Sequence, residues 1–405
     1  MFIYKAGVVG AGTMGAGIAQ VITYAGIPVV LKDVNQELVD KGIAKIREIY
    51  QKRVDKGKMS SSELESKLTL VSGAATYDSF KDVDIVIEAV PEKMDLKKKV
   101  FQDLEGRVSE NTIFATNTSA LSISELGAAT KRPEKVVGMH FFFPAHVMKL
   151  IEVIPGLATN NETVDDVVAF SESLRKIPVK VNECAGFLVN RLLMPYLNEA
   201  ACCLQEGAAS VQEIDQAMVQ FGLPMGPFTL VDNLGLDVCF DVVKVLLDSY
   251  GNRMSPAEIW SKLYEAKRYG MKTGAGFYEY DGRNDGLLQK IITGLQKKPG
   301  AKKTEFSAER LIYPMINEAA LCVEEHVAAE SDIDMSMVAG TGFPQDKEGI
   351  LHYADQVGLD VVLKTLESLY QEFGARFWPA PRLRRMVGAG FLGKKSGRGF
   401  FEYST

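Results

Sequence analysis

The spacing of hydrophobic positions changes near residue 183. Up to about residue 182, short β-branched runs alternate with amphipathic helical stretches, which is typical of a doubly wound parallel α/β sheet. We predict eight strands, over residues 3–9, 28–33, 68–71, 84–89, 112–116, 136–142, 150–154 and 178–181. A long basic helix is predicted over residues 37–56. Ser62 and Glu65 fit a capping box that begins a second helix.

From residue 184 onward, apolar residues recur at helical spacing, over 187–204 and again over 214–221. This helical region repeats itself. The segment NRLLMPYLNEAACC, which begins at Asn190, returns as ERLIYPMINEAALC from Glu309, and KTGAGFYEY returns near the end as KSGRGFFEY. Ordered matches of this kind indicate an internal duplication. We therefore predict a nucleotide-binding domain over residues 1–183, followed by two helical copies over 184–298 and 299–405.

The segment between the two helical copies, residues 296–303 (QKKPGAKK), is basic and contains proline and glycine, so it is predicted to be an exposed linker. Homologous helical units often bury their apolar faces against one another around a pseudo-twofold axis. We expect an internal pseudo-dimer of the helical copies, in a chain that is itself either a monomer or a homodimer.

Composition and charge narrow the class of protein. Of the 405 residues, 46% are hydrophobic and 24% charged, as in globular proteins. The net charge of −6 repels phosphate polymers, so nucleic acid is not expected as a partner. No apolar run is long enough for a membrane span, and the first residues lack the pattern of an export signal. The five cysteines lack metal-ligand spacing, so we expect no metal and a reducing, cytoplasmic location.

A glycine-rich motif, GAGTMG, follows the first predicted strand and precedes a helical stretch. Its candidate cofactor-binding residues are Gly10, Gly12, Thr13, Met14 and Gly15. The glycines permit a tight turn, close approach of a pyrophosphate and close packing of helix on strand. A turn without a ligand is the alternative, but Asp33, which closes the second strand, favours a dinucleotide site. Its carboxylate would bind ribose hydroxyls and repel a 2′-phosphate, which favours NAD over NADP, although Lys32 beside it weakens that preference.

A dinucleotide indicates hydride transfer, which needs a group that moves a proton. The chain has four histidines: His140, His146, His326 and His352. His140 ends an apolar strand, at the edge where open α/β sheets bind ligands, although a strand-end histidine can equally be structural. His326 and His352 fit surface or packing positions, and His146 follows a turn at Pro144. Glu152 interrupts the apolar run KLIEVI. Because a buried carboxylate needs a partner, Glu152 either faces solvent on an edge strand or pairs with His140, fixing its tautomer and stabilising the imidazolium.

With the motifs TNTSAL, HFFFPAHVMKLIEV and GFLVNR, the chain resembles L-3-hydroxyacyl-CoA dehydrogenases. The resemblance covers essentially the whole chain and matches the dehydrogenase half of fused β-oxidation enzymes. It implies a Rossmann-type domain followed by two tandem all-α domains. It also implies reversible oxidation of (S)-3-hydroxyacyl-CoA to 3-oxoacyl-CoA with NAD, in fatty-acid β-oxidation or related butanoate metabolism.

The resemblance also implies a set of catalytic residues: Ser119, His140, Glu152 and Asn190. In this interpretation His140 is the general base, oriented by Glu152, while Ser119 and Asn190 hydrogen-bond the reacting oxygen or the neighbouring acyl carbonyl. The alternatives are a turn hydroxyl for Ser119 and an amide bonded to its own backbone for Asn190. The second copy has Glu309 at the position of Asn190, so we interpret that copy as scaffold.

Further contacts follow from the resemblance. Glu92 and Lys97 align with contacts to the nicotinamide half of NAD, although both could be solvated helix charges. Arg53 and Lys56, on the basic helix, are candidates for the phosphates of CoA, against the alternative of a solvated basic face. Phe143 stands where many family members have Asn or Ser. It removes a polar contact near the substrate and adds apolar surface, which would redirect acyl selectivity or weaken activity.

Two other functions fit the same motifs. One is a dehydrogenase of free hydroxy acids, which would turn over without CoA. The other is a non-catalytic NAD-binding structural protein, which the intact set of four catalytic residues argues against.

Overall fold

Residues 1–297 and 304–404 are described by the computed structural model, and the chain divides into two units, Met1–Phe187 and Leu188–Thr405. The predicted boundary between the helical copies, at residues 298 and 299, lies outside the described residues. So does the predicted linker from residue 298 to residue 303.

The first unit contains an eight-stranded sheet in the order β3-β2-β1-β4-β5-β6-β7-β8. The strands are β1 (Ala6–Val9), β2 (Val29–Lys32), β3 (Val71–Ala74), β4 (Ile85–Glu88), β5 (Ile113–Thr116), β6 (Val136–Phe141), β7 (Leu150–Pro155) and β8 (Ile177–Lys180). All eight predicted strands are present. The third one begins three residues later than the predicted start at residue 68, because Leu68 still belongs to the preceding helix.

The direction of the last two strands differs from the predicted parallel sheet. Strands β1 to β6 pair in parallel, but β7 runs antiparallel to β6, and β8 is parallel to β7. The connection from β6 to β7 comprises only residues 142–149. A parallel crossover needs roughly a dozen residues or more, so this short connection produces an antiparallel hairpin.

Helices of the first unit cover the faces of this sheet. They are α1 (Thr13–Tyr24), α2 (Gln36–Asp55), α3 (Ser61–Leu68), α4 (Met94–Leu104), α5 (Ile123–Ala128) and α6 (Asn161–Ser173). Central strands such as β4 and β5 are buried along their whole length, as expected for a sheet covered on both faces. The capping box of α3 is formed by Ser60 and Glu63, not by the predicted Ser62 and Glu65. This start places Leu64 on the buried side of the helix.

The described residues of the second unit form helices joined by loops, with isolated β-bridges only within residues 270–279 and 393–402. Its helices are α7 (Val189–Gln205), α8 (Val211–Phe221), α9 (Pro227–Leu234), α10 (Leu236–Tyr250), α11 (Glu258–Glu265), α12 (Leu287–Gln296), α13 (Ala308–Glu324), α14 (Glu330–Thr341), α15 (Ile350–Val357), α16 (Leu359–Phe373) and α17 (Pro381–Gly388). Helices α7 to α11 recur in order as α13 to α17, which is the structural form of the sequence repeat.

Helices α7 and α13 contact each other through reciprocal ion pairs. Arg191 Nε on α7 donates to Glu318 Oε1 on α13 over 2.7 Å. At the equivalent positions, Arg310 Nε on α13 donates to Glu199 Oε1 on α7 over 2.6 Å. All four side chains are buried, so each charge depends on its partner in the other copy.

Over the described ranges, no helix has both the length and the apolar character that a bilayer crossing requires. All five cysteines are free thiols, and four of them are buried.

Candidate active site

The glycine turn between β1 and α1 has the geometry that its sequence predicts. Gly10 has a φ of +104°, and a Cβ there would come within 2.5 Å of the Ala89 carbonyl oxygen. A Cβ on Gly15 would overlap the carbonyl oxygen of Gly10. At Gly12, by contrast, no atom of the other described residues beyond its chain neighbours lies within 4 Å of the position that a Cβ would take. The turn therefore leaves open space at the start of α1, where helix N–H groups favour a pyrophosphate.

Asp33 lies beside this turn, at the end of β2. Its Oδ2 atom accepts a hydrogen bond from the Ala11 N–H over 2.7 Å, and its Oδ1 atom accepts one from the Val34 N–H over 2.7 Å. The Nζ atom of Lys32 lies 4.2 Å from the centre of the Tyr77 ring; burial lowers the pKa of Lys32, while the charge of Asp33 acts in the opposite direction. A carboxylate is therefore held next to the turn, where it can accept hydrogen bonds from ribose hydroxyls and repel a 2′-phosphate.

A buried charge pair links β4 to α4. Lys97 has no exposed surface, and its Nζ atom lies 2.9 Å from each carboxylate oxygen of Glu88. Burial raises the pKa of Glu88, while Lys97 and the Thr116 hydroxyl act in the opposite direction. The alternative that Lys97 is a solvated helix charge is therefore wrong. Its ammonium group instead sits under the loop that follows β4.

Glu92 connects this pair to Ser119. Its Oε1 atom accepts hydrogen bonds from the Ser119 N–H over 2.8 Å and from the Thr118 hydroxyl over 2.5 Å. Its Oε2 atom lies 3.2 Å from Lys97 Nζ, while 42% of the side chain remains exposed. The loops after β4 and β5 are thus joined at the carboxyl edge of the sheet, with Ser119 half-buried between them.

His140 and Glu152 form a buried pair in the hairpin of β6 and β7. They are direct partners in the antiparallel register, and His140 Nδ1 lies 2.7 Å from Glu152 Oε2. Glu152 is completely buried and His140 is 5% exposed. Because β7 lies between β6 and β8, Glu152 is not on an edge strand, and the solvent-facing alternative is wrong.

Two phenylalanine rings surround the imidazole. The Phe142 ring centre lies 4.6 Å from that of His140, and the Phe187 ring centre lies 6.0 Å away. Asn117, after β5, accepts a hydrogen bond from the Phe141 N–H over 2.8 Å and donates its own N–H to the Glu88 carbonyl over 2.8 Å. Asn117 therefore fixes the end of β6 to the neighbouring strands. Asn117 is not among the residues predicted from the sequence, although a polar residue directly after a buried strand is a signal for such a role.

The candidate substrate contacts on the first unit are more exposed. Phe143 is 52% exposed, and Lys56 is also exposed. Arg53 places its guanidinium 4.5 Å above the Tyr24 ring and donates to the Tyr24 hydroxyl over 2.9 Å. Elsewhere on α2, Lys45 Nζ lies 3.4 Å from the Thr13 hydroxyl at the start of α1. At the end of the basic helix α2, Arg53 is therefore packed against Tyr24, whereas Lys56 is exposed to solvent.

Asn190 lies in the second unit, at the second residue of α7, and is half-buried. Glu309 occupies the second residue of α13, the equivalent position in the second copy. His352 is paired with Asp334 and stacked on Phe401, and these contacts give it a packing role.

Comparison with known proteins gives matches along both units. The model of the 3-hydroxyacyl-CoA dehydrogenase NAD binding domain matches residues 5–184. The model of the 3-hydroxyacyl-CoA dehydrogenase C-terminal domain matches two stretches, residues 186–280 and 306–403. These two stretches correspond to the two copies of the internal repeat.

Individual proteins show the same similarity. A 3-hydroxybutyryl-CoA dehydrogenase from Escherichia coli K12 superposes with a TM-score of 0.86 at 29% identity, covering 96% of this chain and 100% of that one. An (S)-3-hydroxybutyryl-CoA dehydrogenase from Ralstonia eutropha is 42% identical with a TM-score of 0.67, covering 69% and 99%. A fatty acid oxidation complex subunit alpha from Shewanella sp. (strain MR-7) is 38% identical over 95% of this chain. The chain spans only 55% of that relative's length.

Proposed function

The chain belongs to the 3-hydroxyacyl-CoA dehydrogenase family, and we propose that it oxidises (S)-3-hydroxyacyl-CoA reversibly to 3-oxoacyl-CoA with NAD. The pair of His140 and Glu152 carries this proposal, because it offers a proton acceptor at the carboxyl edge of the sheet that also bears the glycine turn. Since the chain corresponds to about half of the fatty acid oxidation subunits, the proposal concerns the dehydrogenase reaction alone.

The first unit fits NAD on its own geometry. The open space at Gly12 suits the pyrophosphate, and Asp33 suits the adenosine ribose. When bound, NAD supplies the hydride acceptor. Glu92 would contact the nicotinamide half of NAD directly. Lys97 would act indirectly, because its Nζ atom lies 3.2 Å from Glu92 Oε2 and holds that carboxylate in place.

In the proposed mechanism, Nδ1–H of His140 donates to Glu152, which leaves Nε2 as the base. Nε2 takes the proton of the 3-hydroxyl while the hydride leaves the carbon that bears this hydroxyl. The buried carboxylate of Glu152 stabilises the resulting imidazolium. In the reverse direction His140 returns the proton. Ser119 and Asn190 would orient the reacting oxygen or the thioester carbonyl. Phe143, Arg53 and Lys56 would contact the rest of the acyl-CoA.

We also propose the domain organisation of the second half. The reciprocal pairs of Arg191 with Glu318 and Arg310 with Glu199 support an internal pseudo-dimer of two helical copies, over residues 184–298 and 299–405. Such an arrangement would let one chain supply both halves of the helical interface. The five free cysteines support a reducing, cytoplasmic location.

Formation of NADH from (S)-3-hydroxyacyl-CoA thioesters of increasing chain length, measured beside the free 3-hydroxy acids, tests the function. We expect turnover of thioesters with NAD and much weaker turnover of free acids. Equal rates with free acids would favour the alternative dehydrogenase. NAD binding without turnover of any thioester would favour the non-catalytic alternative.

A further inference from the structure

The connection between β6 and β7, residues 142–149, joins the strand of His140 to the strand of Glu152; we name it the hairpin loop. It is closed by hydrogen bonds from the Val147 and Met148 N–H groups to the Pro144 carbonyl, over 2.9 and 3.0 Å. Ala145 is buried, and a Cβ on Gly17 of α1 would be 3.3 Å from its Cβ. The hairpin loop therefore packs on the helix that begins at the glycine turn.

Lys176 holds this loop from the other side. Its Nζ atom donates to the Ala145 carbonyl and to the Met148 carbonyl, each over 2.6 Å. The residue follows α6, where its own N–H donates to the Ser171 carbonyl over 3.1 Å. No carboxylate of the described residues lies within ion-pair distance of Lys176. Its half-buried ammonium group is thus devoted to two backbone oxygens of one loop.

We infer that Lys176 is a positioning residue for the proposed reaction: its ammonium group fixes the hairpin loop and so keeps His140 at the geometry needed for proton transfer. This inference rests on the proposed function. Ammonium-to-carbonyl bonds are charge-assisted, and two such bonds to residues three apart fix the turn of the loop. A loop shift that displaced His140 by about 1 Å could cost up to 10²-fold in rate.

The test compares two variants. Lys176→Met keeps a side chain of similar length but removes the charge and the hydrogen-bond donors, whereas Lys176→Arg keeps the charge and the donors. Lys180→Met, an exposed lysine on the neighbouring strand β8, is the matched control. Steady-state oxidation of a 3-hydroxyacyl-CoA, NAD affinity and unfolding temperature are measured for each. We expect Lys176→Met to lower kcat by about 10-fold or more, given the rate cost of misplacement, with NAD affinity unchanged. Lys176→Arg should recover most of the loss, and Lys180→Met should behave like the parent.

Nuclear magnetic resonance of the histidine ring protons separates this inference from the proposed function, because it needs no substrate. A changed His140 signal in Lys176→Met, with a parental signal in Lys180→Met, would support positioning even if no thioester is turned over. An unchanged signal together with parental kcat would overturn it. If neither Lys176 variant folds, Lys176 is a folding residue and the inference is wrong.

Discussion

Glu152 lies directly opposite His140 in the register of two antiparallel strands, with Oε2 2.7 Å from Nδ1. The backbone ladder on both sides of this pair fixes the two Cα positions. The orientation of the imidazole therefore depends on the pairing of these two strands, which the hairpin loop held by Lys176 connects. This makes each member of the pair separately testable.

Replacing His140 by Gln should remove the proton acceptor while keeping a polar side chain of similar size. We expect kcat to fall by about 10²-fold or more, the usual contribution of a positioned general base. NAD affinity, measured by fluorescence titration, should remain at the parental value because the glycine turn is untouched. Turnover near the parental level would exclude His140 from the mechanism.

The Glu152→Gln variant should also be slow, for a different reason. A neutral amide cannot stabilise an imidazolium and can donate to Nδ1, which would favour the tautomer that blocks Nε2. We expect kcat to fall by about 10²-fold with the fold intact, checked by thermal unfolding. Glu162→Gln, at an exposed position in the first turn of α6, serves as the control.

The position of Asp33 beside the glycine turn predicts cofactor preference. Removing its charge in Asp33→Ser should weaken NAD use and improve NADP use, so that the ratio of kcat/KM values shifts toward NADP by about 10-fold or more. The reason is that the repulsion of two unit charges a few Å apart near a protein surface is about 1–4 kcal/mol. Asp40→Ser, exposed on α2, should leave the ratio unchanged. The same ratio in both variants would show that Asp33 does not contact the ribose.

Much of this site could be predicted from local sequence signals. The glycine spacing, Asp33 and the strand-end His140 each depend on neighbours within one βαβ unit or one hairpin, so periodicity and turn chemistry suffice to place them. The antiparallel turn at residues 142–149 was also predictable, since the connection is short. The prediction of a parallel β7 did not take the length of this connection into account.

Other features depend on contacts between distant segments and gave no local signal. Lys97 belongs to a run of lysines on an amphipathic helix, and only the packing of α4 against β4 shows that it is buried on Glu88. The capping box was misplaced by two residues because three consecutive serines offer equivalent caps. Burial of Leu64 decides between them, and burial is a tertiary property.

The reciprocal pairs between α7 and α13 predict a symmetric response to mutation. Glu199 accepts hydrogen bonds from Arg310 and Arg376, and Glu318 accepts from Arg191 and Arg253. Removing one carboxylate leaves Arg310 with Glu206 alone and Arg191 with Glu325 alone, so Glu199→Gln and Glu318→Gln should each lower the free energy of unfolding by about 1–3 kcal/mol. Urea denaturation measures both. The exposed Glu265→Gln should cost less than about 1 kcal/mol. A large loss in only one of the two variants would contradict equivalent roles.

The half-buried position of Lys176 predicts a pH-dependent stability. Burial lowers the pKa of Lys176 from its ordinary value of 10.5 to about 8. In the hairpin loop itself, burial and then the charges of Lys176, Lys52 and Arg53 lower the pKa of His146. Between about pH 8 and 10.5 the unfolded chain then binds more protons at Lys176 than the folded chain does.

Stability contributed by Lys176 should therefore rise with pH across that window. We expect the free energy of unfolding of the parent, minus that of Lys176→Met, to be flat below about pH 7.5 and to increase between about pH 8 and 10.5. Urea denaturation at intervals of pH measures this difference, and subtraction cancels the titration of groups that both proteins share. The same subtraction with Lys180→Met, an exposed position on β8 that keeps Lys176 in place, serves as the control. A difference that instead falls with rising pH would mean that the two carbonyl oxygens of Ala145 and Met148 hold the ammonium group charged, with a folded-state pKa above the ordinary value.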